Sequence, residues 1–173
     1  MSKRPDHYYC QSGVIPFRKR KGKLELLMVT STNKKRWVIP KGVKEPHLSP
    51  KKSAIKEAWE EAGIRGKVSK SAIGAYRYRK WGRTCTVKVF AMEVSKVVRH
   101  WEESFRDRVW FSHREALRRI DAKDLQQLVR QLPDFVYTRD YIRTLKRLLR
   151  IVCFWLTRLL GQSVVLVADM GAN

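Results

Sequence analysis

Glu57, Glu60 and Glu61 stand at i, i+3 and i+4, the spacings that bring side chains together on a helix surface. At ~100° per residue, Glu57 lies at 0°, Glu60 at about −60° and Glu61 at about +40°. Three like charges within one turn repel by roughly a few tenths of a kcal/mol per pair. A divalent cation turns that cost into a gain, and an all-oxygen donor set suits Mg²⁺, with Mn²⁺ as the second choice. A solvated acidic face neutralised by neighbouring lysines has the same spacing. Spacing alone does not separate the two.

The helix that carries these residues is well marked. Ser49 is an N-cap, Pro50 fits the first helical position, and Gly63 fits the left-handed residue beyond the end. Ala54, Ile55, Ala58, Trp59 and Ala62 form an apolar stripe beside the acidic one. Around the helix the pattern predicts strands over 8–17 and 24–30, joined by a basic turn at Gly22, and a short extended run over 36–40. A longer hairpin is expected from 68–78 and 84–94 around Trp81-Gly82, and a short strand over 108–111. Ser112 and Glu115 make a capping box, and a second amphipathic helix covers 121–132, ending before Pro133.

The helix ends a longer pattern, Gly42 to Ile64, in which Gly42, Glu57, Ala58, Glu60, Glu61, Gly63 and Ile64 fall in fixed register. This stretch resembles a Nudix box. Leu48 stands where that pattern has its first Glu, and Lys56 replaces an Arg. Either Glu45 substitutes for the missing carboxylate or Pro46 and Pro50 stiffen the loop. Lys56 keeps the charge but not the planar fork that clamps a carboxylate in two places. Trp37 to Gly42 and Arg108 to Phe111, followed by Glu115-Ala116, are similar to the diphosphoinositol polyphosphate phosphohydrolase branch, whose members hydrolyse inositol pyrophosphates and dinucleoside polyphosphates. The resemblance covers roughly residues 8–118.

It implies an α/β fold, a Nudix-type α/β/α sandwich with a mixed sheet, and metal-dependent hydrolysis of a phosphoanhydride in a nucleoside diphosphate–X or polyphosphate. It also implies catalytic roles for Glu57, Glu60, Glu61 and Lys56. Glu57, Glu60, Glu61, Gly42 and Glu103 would hold Mg²⁺ (or Mn²⁺), and Glu57 is a candidate base. If strand ends converge on the helix N-terminus, Lys41, Arg36, Lys35 and Arg18 face substrate phosphates beside free backbone N–H groups. The alternative is a catalytically weakened domain that binds RNA or anionic lipid.

With 38 Lys and Arg against 16 Asp and Glu, the net charge is +22, which draws anionic partners. Phosphorylated small molecules, nucleic acid and anionic membrane all satisfy it, although no nucleic-acid fold motif is evident. Hydrophobic content of 43% argues against disorder. Cys10, Cys85 and Cys153 are odd in number and widely spaced, which predicts unpaired thiols and a reducing, cytoplasmic setting rather than a zinc site. The N-terminal stretch shows no apolar signal core.

The chain divides into a domain over 1–135 and a helical extension over 136–173. In the extension, 141–168 interleaves apolar residues with Arg143, Lys146, Arg147, Arg150 and Arg158. Its readings are a helix packed on the domain or in a homodimer, a basic amphipathic helix on an anionic membrane, and a tail anchor. Arg158 within the apolar span counts against the last. Monomer and homodimer are both open.

Overall fold

A computed structural model describes residues 5–80 and 82–160. Strands β1 (Cys10–Arg20), β2 (Lys23–Thr30), β3 (Trp37–Val38), β4 (Lys41–Val43), β5 (Ile64–Val68), β6 (Gly74–Lys80), β7 (Arg83–Val97) and β8 (Arg108–Ser112) make one mixed sheet. Its spine runs β3-β2-β1-β7-β5, with β4 on β1, β6 on β7 and β8 on β2. β1 and β7 are parallel, from Cys10 opposite Thr86 to Phe17 opposite Glu93. The other pairs are antiparallel.

Helix α1 (Pro50–Ala62) lies on one face of the sheet. Ala54, Ala58 and Ala62 pack with Val14, Leu27, Val29, Phe90 and Met92; three alanines let the helix approach closely. Alternation sends Ile15, Phe17, Leu26, Met28, Val87 and Val89 to the opposite face, all of them buried. Helix α2 (His113–Arg119) adjoins β2 and β8, and Leu125, Val129 and Leu132, from the start of α3 (Lys123–Leu160), are buried with Ala116. The layers are those of a Nudix-type α/β/α sandwich.

β1 meets β4 through Gln11–Gly13 and β2 only from Phe17 onward. The two strands diverge, and β4 fills the gap. Gly13 is required there, since a Cβ would lie 2.7 Å from both the Lys41 Cβ and the Pro40 carbonyl oxygen. The divergence delivers Lys41-Gly42-Val43 to the flank of α1.

Two elements differ from the sequence expectation. The run expected as a strand over 68–78 is broken, with Val68 ending β5 and β6 starting at Gly74. The Ser69 N–H donates to the Ala91 carbonyl and the Ile73 N–H to that of Val89. Between them the Ser69 hydroxyl accepts from the Ala91 N–H and donates to the Ser71 carbonyl, so a side chain takes one acceptor position of the ladder where the strand breaks. Trp81 lies outside the described residues.

The helix expected to stop before Pro133 instead continues through it to Leu160. Pro133 has no N–H to give to the carbonyl of Val129, four residues back. His113 Nε2 lies 2.7 Å from that oxygen and donates the missing bond. The main chain forms two compact units, Met1–Pro133 and Asp134–Asn173.

Candidate active site

Helix α1 forms as its termini dictate. The Ser49 hydroxyl accepts from the Lys52 N–H, Pro50 opens the helix, and Gly63 closes it at φ 58°. Its last carbonyls are bonded by the segment that follows β7. The Glu103 N–H donates to the Glu60 carbonyl at 3.0 Å, Trp101 Nε1 to that of Glu61 at 3.1 Å, and the Arg108 guanidinium to that of Ala62. The segment 98–108 is thereby fastened to the end of the helix that bears the acidic residues.

The three carboxylates meet different surroundings. Glu61 is buried; its Oε2 accepts from the Lys41 N–H at 2.9 Å and its Oε1 from Arg106 Nη2 at 2.8 Å. Burial pushes its pKa above the ordinary carboxylate value, and Arg106 and Lys41 offset that push. Glu60 faces outward and receives Lys56 Nζ at 2.5 Å, with Glu45 on the same ammonium at 3.0 Å. Of the two remedies for Leu48, Glu45 does turn toward the helix: it reaches Lys56 while its N–H donates to the Ser53 hydroxyl.

Glu57 is half-buried, and among the described residues none hydrogen-bonds its carboxylate. Desolvation raises its pKa to about 7, with further pushes from Glu61, Glu60 and Glu103. The carboxylate rests against the backbone of Gly42, where a Cβ would come 2.0 Å from its Oε1.

Sequence reasoning missed Arg106, which is 8% exposed. Besides Glu61 it donates to Glu103 Oε2 through Nε at 2.5 Å, to the Thr30 carbonyl at 2.8 Å and to the Thr32 hydroxyl at 3.3 Å. It joins β2, α1 and the 98–108 segment. Its neighbours in sequence carry no sign of this.

Of the cations expected at the site, Lys41 is closest to it. Its backbone holds Glu61, and its ammonium lies 5.1 Å from the Tyr78 ring, whose hydroxyl donates to Gln11 Oε1. Burial holds the Lys41 pKa below its ordinary value. Lys35 and Arg36 are exposed on the turn after β2. Arg18 is not brought to the carboxylates: it lies five residues along β1 from Gly13, about 17 Å at 3.3 Å per residue. There it pairs with Glu25 at 2.7 Å and stacks over Trp110.

Among the described residues, no three His, Cys, Asp or Glu side chains stand close enough together to enclose a metal ion. The reason is visible, because Lys56 holds Glu60 and Arg106 holds Glu61 and Glu103. The chemistry of the donor set nonetheless suits a hard divalent cation. Glu57 is unbonded and destabilised as an anion by burial first and then by the charges of Glu61, Glu60 and Glu103, and Gly42 supplies a backbone flank without a side chain.

The Nudix domain model matches residues 11–132. Diphosphoinositol polyphosphate phosphohydrolase 3-alpha of Mus musculus is 29% identical over 117 residues, covering 66% of this chain and 70% of that protein. Nudix hydrolase 12, mitochondrial, of Arabidopsis thaliana is 33% identical over 128 residues, covering 61% and 63%. A C. elegans Ap4A hydrolase binary complex is similar in fold, with a TM-score of 0.65 at 23% identity over 75% of this chain and 98% of that one.

Proposed function

The chain belongs to the Nudix family, and from that membership we propose that it hydrolyses a phosphoanhydride bond in a polyphosphorylated small molecule with the help of Mg²⁺. The observation that carries the reading is Glu57: an unbonded carboxylate with a pKa of about 7, beside Gly42 and within the field of three other acids. Glu57, Glu60, Glu61 and Glu103, with the backbone of Gly42, are the groups that would hold the cation. Bound there, a divalent cation neutralises phosphate charge and polarises a phosphoryl oxygen.

The chain's own residues do the rest. Near neutral pH, Glu57 is poised to take a proton from the attacking water. Lys41, desolvated and with Lys80 and Arg106 acting against its charge, gains from an incoming phosphate. Arg106 fixes Glu61 and Glu103 against the helix, and Lys56 does the same for Glu60 from outside. The net charge of +22 favours capture of highly anionic substrates. Similarity to diphosphoinositol polyphosphate phosphohydrolases supports a diphosphoinositol polyphosphate or dinucleoside polyphosphate as substrate. The free cysteines of the described residues support a reducing, cytoplasmic setting.

A second reading has one observation in its favour. Glu60 and Glu61 are already neutralised by Lys56 and Arg106, as in a domain that holds a polyanion such as RNA without cleaving it. A panel of dinucleoside polyphosphates, diphosphoinositol polyphosphates, nucleotide sugars and triphosphorylated RNA, assayed with Mg²⁺ and with a chelator, separates the two. Mg²⁺-dependent cleavage of at least one substrate is expected. Tight RNA binding with no cleavage of any member sinks the hydrolase reading.

Gly42→Ala tests the geometry. The new methyl must displace the end of the Glu57 side chain, which is flexible, so stability should change little. Misplacing a reacting group by about 1 Å costs on the order of 10²-fold in rate. We expect a loss of that size in kcat, with Tm nearly unchanged. A variant with wild-type turnover would show that Glu57 need not sit against Gly42.

A further inference from the structure

Between Tyr141 and Arg158, helix α3 sorts its side chains in a way that hydrolysis does not use. At about 100° per residue, Ile142, Leu145, Leu149, Val152, Trp155 and Leu156 fall within one arc of about 140°. Arg143, Lys146, Arg147, Arg150 and Arg158 fall within an arc of about 120° centred nearly opposite. No acidic residue interrupts 141–158. The apolar arc is open to solvent: Leu145 is 44% exposed, Leu149 55%, Val152 53% and Trp155 57%. Arg143, Lys146, Arg147 and Arg150, with Ile151 and Phe154, line one open groove of about 580 Å³ along the basic side.

We infer that the face of α3 from Tyr141 to Arg158 docks on an anionic phospholipid surface, lying in the plane of the interface. Two features of the helix commit it to that partner. An apolar arc this wide stays wet unless it is covered, and a lipid interface covers it while leaving the opposite side in water. The cationic side chains lie along one full side and reach phosphate headgroups by extending their aliphatic stems. Charge complementarity therefore acts on the same element as apolar burial, and membrane association by a helix of this kind needs both.

Tyr141 and Trp155 supply the amphipathic rings that favour the headgroup level. Among the described residues no helix is long and apolar enough to cross a membrane, and α3 is inferred to lie along the interface. The part of the 141–168 span beyond residue 160, on which the tail-anchor reading depends, lies outside the described residues.

The test uses the full chain and is independent of its catalytic reading. Sedimentation is measured with phosphatidylcholine vesicles, with and without phosphatidylglycerol, at low and high salt. Pelleting is expected only with the anionic vesicles and should weaken as salt rises. Two variants are compared: Leu149→Asp/Val152→Asp, and Arg143→Gln/Lys146→Gln/Arg147→Gln/Arg150→Gln. Each should bind at least tenfold more weakly, since single cations near an anionic surface contribute severalfold each. Circular dichroism melts should show an unchanged domain transition.

The inference is overturned if wild-type protein does not pellet, if neutral vesicles bind it equally, or if either variant binds as wild type does. It is also overturned if, without vesicle binding, Leu149→Asp/Val152→Asp turns a dimer into a monomer, or if the glutamine variant loses only RNA binding. A second copy or an RNA would then be the partner.

Discussion

Glu57→Gln is expected to lower kcat by ~10² to 10³-fold, the scale of losing a proton-transfer or key electrostatic group, while raising the melting temperature at pH 8. The two effects have one cause. Glu57 titrates near 7 in the folded chain against an ordinary value of 4.5. The folded state therefore binds its proton more tightly than the unfolded state does, and stability falls as pH rises from about 4.5 through 7. Above 7 the penalty is fully present, and below 4.5 it vanishes.

Glutamine keeps the shape and removes the charge, so the gain should be greatest at pH 8 and absent near pH 4. Allowing for solvent screening of a half-buried group, the gain is on the order of 2 kcal/mol, or several degrees in Tm. Thermal melts across pH, run without divalent cation, read it directly. A variant that is inactive but no more stable at pH 8 than at pH 4 would show that Glu57 carries no such penalty. In wild-type protein, saturating Mg²⁺ should raise Tm and reduce the difference between the two forms.

Arg106→Met should destabilise the domain by about 3–5 kcal/mol, because it leaves a buried carboxylate without its counter-charge. Glu61, at 7% exposure, retains only the Lys41 N–H. Glu103 and the Thr30 carbonyl lose a donor as well. For a chain of this length the loss corresponds to on the order of 10 °C in Tm. The double variant Arg106→Met/Glu61→Gln should recover much of it, since the residual cost lies in the unpaired charge. Equal stabilities for the single and double variants would mean that Arg106 acts through Thr30 and Glu103 rather than through Glu61. Activity should be lost in both, which separates scaffold from chemistry.

Most of what the sequence reveals here is local. Ser49, Pro50 and Gly63 bound α1, and the i, i+3, i+4 spacing put three acids on one side of it, because caps and periodicity act within a few residues. The Ser112–Glu115 capping box formed as expected for the same reason. What stayed hidden acts over distance. Arg106 reaches Thr30 and Glu61 across 76 and 45 residues, and nothing around it distinguishes it from the other arginines. Pro133 read as a stop because a proline removes a helical bond; the replacement donor, His113, lies 16 residues from Val129. Glu45 was legible only as one of two remedies for Leu48, since proximity in a loop does not say which side chain turns inward. Lys56 stands four residues before Glu60, so their pairing was open to sequence reading, but nothing in the spacing announced Arg106 on Glu61 and Glu103.

The three bonds from Glu103, Trp101 and Arg108 to the carbonyls of Glu60, Glu61 and Ala62 make the segment 98–108 intolerant of insertion. A lengthened version would forfeit the partners of a helix terminus and pull Glu103 off its station. The turn from Ser31 to Arg36 is tied to that segment through side chains, Thr32 to Arg106 and Lys34 to Asp107, which a change of length in the turn can re-form. Drift in substrate preference among descendants of this chain should therefore accumulate in that turn, while the stretch opposite it stays fixed in length.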